Sequence, residues 1–305
     1  MDMTPLINKM VLFVVFMVIG YVLARTGRAG KEFTKAASSL VLNFFMCATI
    51  INSVVSSDME LDGAGLIHVL LVMTAAMLLC YALAAVAARL IPVGRDKASE
   101  FELITAVPNN MFIALPVVDS VLGSTAVFYC SLSCIPFNVL LYTYGVWRLK
   151  SGEKGGLRLK DIVSVPLVAT FVALLIFVFR LPVPGIIREL LTAASGATMP
   201  MSMIVIGASL GSVSLLAAFK DWRIYVCGLL RLIIAPLLVY AVCSLITADP
   251  VLLMTAVIMA AAPGAVVVTV LSVQYGRDAV FTSEGILHCT VVAMVTIPLL
   301  VYFLI

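Results

Sequence analysis

Pro108-Asn109-Asn110 interrupts an apolar stretch otherwise long enough to cross a bilayer, and a second interruption, Ala262-Pro263-Gly264-Ala265, falls in the other half of the chain. A self-match ties the two together. Gly123-Ser124-Thr125-Ala126-Val127-Phe128 recurs as Gly276-Arg277-Asp278-Ala279-Val280-Phe281, an offset of 153 in a chain of 305 residues. The same offset lays Pro108-Asn109-Asn110 over Ala261-Ala262-Pro263. A proline inside a helix removes a donor and breaks the hydrogen-bond ladder. Hydrocarbon cannot replace the lost bonds, so such breaks survive where freed backbone groups line a cavity or meet protein. Paired breaks in two related halves are the strongest sequence pointer to a binding region between them.

Hydrophobic residues make up 63% of the chain and charged residues 11%, with a mean hydropathy of +1.18. Soluble domains are nearer half apolar and a quarter charged, so this composition defines a polytopic membrane protein. The 19 basic residues form no patch with interleaved aromatics, which excludes a nucleic-acid partner. Seven cysteines fall mostly inside apolar runs without paired CxxC spacing, so they read as packing groups and no metal site is expected. The first apolar run is long enough to span and has no small-residue cleavage site, so it reads as a span and not as a cleaved signal.

A spanning helix needs about 20 mostly apolar residues. Ten such spans are predicted, at about 5–25, 34–55, 64–91, 99–121, 124–148, 161–180, 186–214, 221–247, 250–275 and 279–304. The predicted architecture is all-α, with a first five-helix repeat over 1–148, a linker over 149–160 and a second five-helix repeat over 161–305. Fifteen of the 19 Lys and Arg residues lie on one side of this arrangement, in the loops after odd-numbered spans and in the linker. That bias marks the linker as cytoplasmic and places both termini outside a plasma membrane. An odd number of spans per half forces the two halves to insert oppositely. The repeat is therefore expected to be inverted, with broken spans four and nine crossing at mid-depth.

Several further motifs carry a resemblance. Asn109-Asn110-Met111-Phe112-Ile113-Ala114-Leu115-Pro116 is similar to the N-x-x-F-x-G-L-P pattern of the auxin efflux carrier family, with Ala114 in place of glycine. Phe137-Asn138-Val139-Leu140, Ile206-Gly207-Ala208-Ser209-Leu210, Ala262-Pro263-Gly264-Ala265 and Thr296-Ile297-Pro298-Leu299 extend the likeness along the whole chain. The family includes plant auxin carriers and bacterial dicarboxylate permeases. The resemblance implies secondary transport of a carboxylate-bearing anion without ATP, and a homodimer in the lipid bilayer. It also implies that spans one, two, six and seven form a scaffold apart from the crossing spans.

The physics of a broken helix points the same way. Each new helix N-terminus exposes amides with partial positive charge, which suits an anion without a buried cation. The candidate substrate-binding residues are Pro108, Asn109, Asn110, Pro263 and Gly264 at the breaks, with the intramembrane amides Asn43 and Asn138. Arg231 completes the set. It lies eleven residues past Lys220, about 16 Å into span eight at 1.5 Å per residue, placed to bind a carboxylate or to pair with one on another helix. Glu284 and His288 share one face of span ten at i and i+4 and are the candidates for coupling to protons. Pro116 is expected only to kink its helix. Glu102 is read as reaching the cytoplasmic interface.

No hydrolase or nucleotide-binding motif occurs, so an enzyme is not expected. No cofactor is expected beyond a coupling ion, H⁺ or Na⁺. Two other readings stay open: a sodium-coupled organic-anion symporter resembling the bile-acid symporters, and a membrane sensor that does not transport.

Overall fold

The computed structural model describes residues 4–55, 62–94, 96–150, 165–211 and 221–304, with backbone alone for residues 4–10 and Lys31. Apart from Leu149 and Lys150, the predicted linker lies outside the described residues, as do the expected start of span six and end of span seven. All regular elements among the described residues are helical. They are α1 (Thr4–Arg25), α2 (Lys31–Leu40), α3 (Met46–Val55), α4 (Gly63–Leu90) and α5 (Ala98–Ala106). Next come α6 (Leu115–Leu122), α7 (Ser124–Leu132), α8 (Cys134–Leu140), α9 (Val146–Lys150), α10 (Val165–Phe179) and α11 (Gly185–Gly211). The last are α12 (Trp222–Leu229), α13 (Ala235–Cys243), α14 (Pro250–Ala261), α15 (Val267–Gln274) and α16 (Ala279–Leu304).

Among the described residues, six helical runs are long and apolar enough to cross a membrane: Glu32–Val55, Gly63–Leu90, Ser124–Lys150, Gly185–Gly211, Trp222–Cys243 and Ala279–Leu304. Val11–Arg25, Asn110–Leu122, Val165–Phe179 and Pro250–Ala261 are shorter apolar helices. Two of these four are short because a break stops them. The chain is thus a multi-pass helical membrane protein.

Among the described residues, four π-helical turns interrupt the helices, at Val41–Phe45, Asn110–Ala114, Leu141–Gly145 and Leu230–Ile234. A π turn inserts a residue into the α ladder and is often found where function needs an off-ladder group. Asn43, Asn110 and Arg231 sit inside three of them, and Asn138 stands just before the fourth.

The two broken segments end alike. α5 runs into an extended Val107 (φ −93°, ψ 109°) and α14 into an extended Ala262 (φ −64°, ψ 142°), positions 155 apart. Beyond the breaks, α6 stops at Gly123 (φ 82°) and α15 is followed by Gly276 (φ 63°), 153 apart. Both glycines lie in the left-handed region that other residues resist. The first half therefore holds two more residues between break and turn, and the π turn at Asn110–Ala114 lies in that interval. This corrects the sequence overlay at one place: Pro108-Asn109-Asn110 corresponds to Pro263-Gly264-Ala265, and the offset of 153 holds only after the break.

The described residues form two compact units. Unit 1 comprises residues 1–68, 111–134 and 164–214; unit 2 comprises 69–110, 135–163 and 215–305. Each draws on both halves of the sequence. Inside unit 1, α1 and α11 meet backbone to backbone. A Cβ built on Gly207 would lie 1.9 Å from the Met17 carbonyl oxygen, and one on Gly20 would lie 2.0 Å from that of Ile204. Small residues permit this approach, on which helix association in lipid relies. α3 joins α11 through polar groups. The Thr49 and Thr198 hydroxyls are 2.7 Å apart, and each donates to the Phe45 carbonyl, at 3.0 Å.

Gly207→Ala should therefore lower the melting temperature of the detergent-solubilised protein, by the roughly 1–3 kcal/mol typical of overpacking. Gly196→Ala, facing open space on the same helix, should leave it unchanged or slightly higher. Equal responses from the two variants would contradict the close α1–α11 contact.

Candidate functional site

Within unit 2 the two breaks meet. Pro108 and Gly264 form an isolated antiparallel bridge. The Asn109 amide donates to the Pro263 carbonyl at 2.8 Å, and the Ala265 amide donates to the Val107 carbonyl at 3.0 Å. Each break thus supplies part of the backbone partners the other lost. Gly264 is needed for this approach, because a Cβ there would lie 3.0 Å from the Ile104 carbonyl oxygen and 3.2 Å from Ile286. The sequence picks out the two prolines as matching features; it does not reveal that they lie across from one another in a two-strand bridge.

Arg231 sits at the same place and is fully buried, at 0% exposure. Its Nε donates to the Ala262 carbonyl at 2.7 Å. Nη1 donates to the carbonyls of Thr105 and Ala106 at 3.0 and 3.1 Å, and Nη2 donates to Met259 at 3.2 Å. All four acceptors belong to the last turn of α5 or to the last turn and cap of α14. A helix C-terminus carries about half a negative charge, so two of them present about one unit to the guanidinium. Burying an ion costs several kcal/mol. Hydrogen bonds to a charged group contribute about 1.5–3 kcal/mol each, so four of them are enough to hold the arginine. The prediction that Arg231 meets a substrate or a side-chain carboxylate did not anticipate these backbone partners. The available signal was its place one helical stretch away from two helix ends with unsatisfied carbonyls.

Asn109 and Asn110 are buried beside the bridge, at 7% and 3% exposure. Asn138 is also buried in unit 2. Asn43 belongs to unit 1, where it is exposed and its amide donates to the Ser39 hydroxyl at 3.0 Å. Pro116, also in unit 1, follows directly on the π turn at Asn110–Ala114, inside the continuous helical run Asn110–Leu122. The buried His288 ring packs edge-on to Tyr225, centroids 4.7 Å apart, and lies 3.2 Å from the position of a Cβ at Gly228. Glu284, one turn earlier on α16, is half-buried.

One feature went unread in the sequence. α5 carries two buried carboxylates, Glu100 and Glu102. Glu102, expected at the interface, is only 2% exposed. It accepts hydrogen bonds from the Tyr144 hydroxyl and from Arg148 Nε, the latter at 2.7 Å. Glu100 accepts from the Ser99 hydroxyl at 2.6 Å and from the Asp278 amide at 3.0 Å. Lys97 lies 3.4 Å from Asp278 and 3.8 Å from Asp221, and Arg277 Nε donates to the Leu149 carbonyl at 2.7 Å. These contacts gather at one end of unit 2 the residues that the charge bias assigns to a single side of the membrane. The clue in the sequence was Glu and Arg recurring at span ends with opposite sign.

Two broken apolar helices that bridge one another in a multi-pass helical membrane protein are the arrangement that transporters place at their binding regions. The chain belongs to the membrane transport protein family, the auxin efflux carriers, whose pattern it matches twice, over residues 5–158 and 155–301. An uncharacterized transporter of Methanothermobacter thermautotrophicus is 26% identical over 290 residues, covering 93% of this chain and 94% of that one. An uncharacterized transporter of Methanocaldococcus jannaschii is 24% identical over 307 residues, covering 96% of each.

Removing Arg148 should leave the Glu102 charge buried and unpaired. Arg148→Met is expected to destabilise the protein more than the double variant Glu102→Gln/Arg148→Met. The coupling should be about 1–3 kcal/mol, reduced from that of a fully buried pair because Arg148 reaches solvent. A cycle with no coupling in thermal unfolding would contradict the pair.

Proposed function

We propose that this transporter is a secondary carrier of a small organic anion, with a carboxylate bound beside the crossed breaks. The observation that carries this reading is the Pro108–Gly264 bridge flanked by two buried asparagines. The half-helix after each break begins with amides that helix geometry leaves without intrahelical partners, and α15 has no side-chain cap. Such ends favour an anion. Arg231 offsets the opposing negative ends, so what remains of the local field at the crossing is positive. The asparagine amides can donate to carboxylate oxygens and fix their orientation. Dicarboxylates such as malate or malonate fit the family resemblance.

In this reading the ten spans form two inverted five-helix repeats, with the linker cytoplasmic and both termini outside. The double family match and the end-of-unit charge cluster support it. Alternating access then moves the bound anion across by motion around the crossing, in a protein that assembles as a homodimer. Glu284 and His288 would couple the movement to protons, with Asn138 lining the path.

The test is a thermal-shift screen of purified protein against carboxylates, neutral solutes and cations. A ligand that binds the folded state raises the melting temperature with concentration. At least one carboxylate should do so, and Asn109→Ala should weaken it about tenfold or more, the effect of losing a hydrogen bond to a charged group. Stabilisation by neutral or cationic solutes, with every carboxylate silent, would overturn the anion reading.

A further inference from the structure

Carriers built on broken helices present two kinds of helix end at the crossing. N-termini face anions, and unwound carbonyls at C-termini coordinate coupling cations. In this protein the carbonyl end is already occupied. The oxygens of Thr105, Ala106, Met259 and Ala262 all accept from Arg231, at 2.7 to 3.2 Å. Hard cations such as Na⁺ are held by clusters of oxygens of this sort. Here a guanidinium fills the cluster with donors fixed in one plane and a charge that proteins do not titrate.

We propose that Arg231 is the built-in counter-cation of the crossing: a covalently attached substitute for an exchangeable ion, which removes any sodium requirement at this carbonyl cluster. The geometry leaves little room for an alternative. Arg231 is fully buried, and its hydrogen bonds to the Thr105, Ala106, Met259 and Ala262 carbonyls run to both broken helices. It is a positioning residue. It holds α5 and α14 together at the break and fixes the Asn109–Pro263 bridge that follows directly. A mobile cation would release that pairing at each turnover; an arginine retains it.

The inference is independent of which anion is carried, since it concerns the carbonyl side of the crossing. Truncation should open a cation-binding cavity lined by four oxygens. Full-length Arg231→Ala in detergent is expected to melt about 10 °C lower than the parent, the scale of an uncompensated buried polar cluster. Low-millimolar guanidinium or methylguanidinium, well below denaturing levels, should restore part of that loss in the variant and none in the parent. Should the alanine variant fail to fold, Arg231→Lys serves instead. One ammonium cannot span four acceptors on two helices, so a smaller loss and a weaker guanidinium response are expected. In the parent, replacing Na⁺ with choline should leave the melting temperature and its carboxylate-induced shift unchanged. A sodium-dependent shift in the parent, or variants that lose stability with no response to guanidinium ions, would overturn the proposal. Carboxylate binding that fails altogether, with guanidinium rescue intact, would count against the anion reading alone.

Discussion

Backbone groups have no partner in hydrocarbon, and that constraint governs how this chain can break its helices. Two interruptions in apolar segments free carbonyls and amides that must be satisfied by protein. The structure meets the need in two ways. The broken strands pair with one another through Asn109–Pro263 and Val107–Ala265, and one buried arginine donates to the carbonyls of Thr105, Ala106 and Ala262 and to that of Met259, which also accepts from the Ala262 amide. Without either partner, each orphaned group would cost on the order of 1–3 kcal/mol. The break is thus a packed and fully specified element, and the buried asparagines beside it stand on a rigid base.

The rest of unit 2 is arranged around α5. Its C-terminal turn enters the crossing and its N-terminal turn carries the two buried glutamates. Glu102 ties α5 to α9 and the π turn before it through Arg148 and Tyr144, and Glu100 ties it to the start of α16 through the Asp278 amide. One short helix of nine residues therefore links the ionic cluster at one end of the unit to the bridge at its centre. Unit 1 has a different character. Its helices meet through glycine backbone contacts and threonine hydroxyls, the kind of packing that works where lipid supplies no hydrophobic drive.

Much of this was legible in the chain. Apolar length and the sparse charges point to the helical membrane class, and the recurrence of Gly123–Phe128 at Gly276–Phe281 ties together two positions that the structure shows as positive-φ glycines. The breaks were visible as Pro108 and Pro263 followed by asparagine and glycine, whereas Pro200 and Pro298 sit inside the continuous helices α11 and α16. Register at the break was not legible, since the π turn at Asn110–Ala114 accompanies two extra residues with no composition signal of its own. The partners of Arg231 were also out of reach. A sequence shows side chains that might pair with an arginine, while the acceptors here are backbone carbonyls that every residue possesses. The burial of Glu102 was out of reach for a related reason: a carboxylate near a span end carries no mark of the Tyr144 and Arg148 donors that folding brings to it.

The central claim is that the crossed breaks serve a carrier of organic anions. Solute counterflow in proteoliposomes tests it directly. Vesicles containing the purified protein would be loaded with an unlabelled dicarboxylate and diluted into a trace of the labelled one. The account predicts transient, saturable accumulation of label that requires the internal anion. Flux that rises linearly with concentration and ignores the internal pool, or counterflow seen only with neutral solutes, would contradict it.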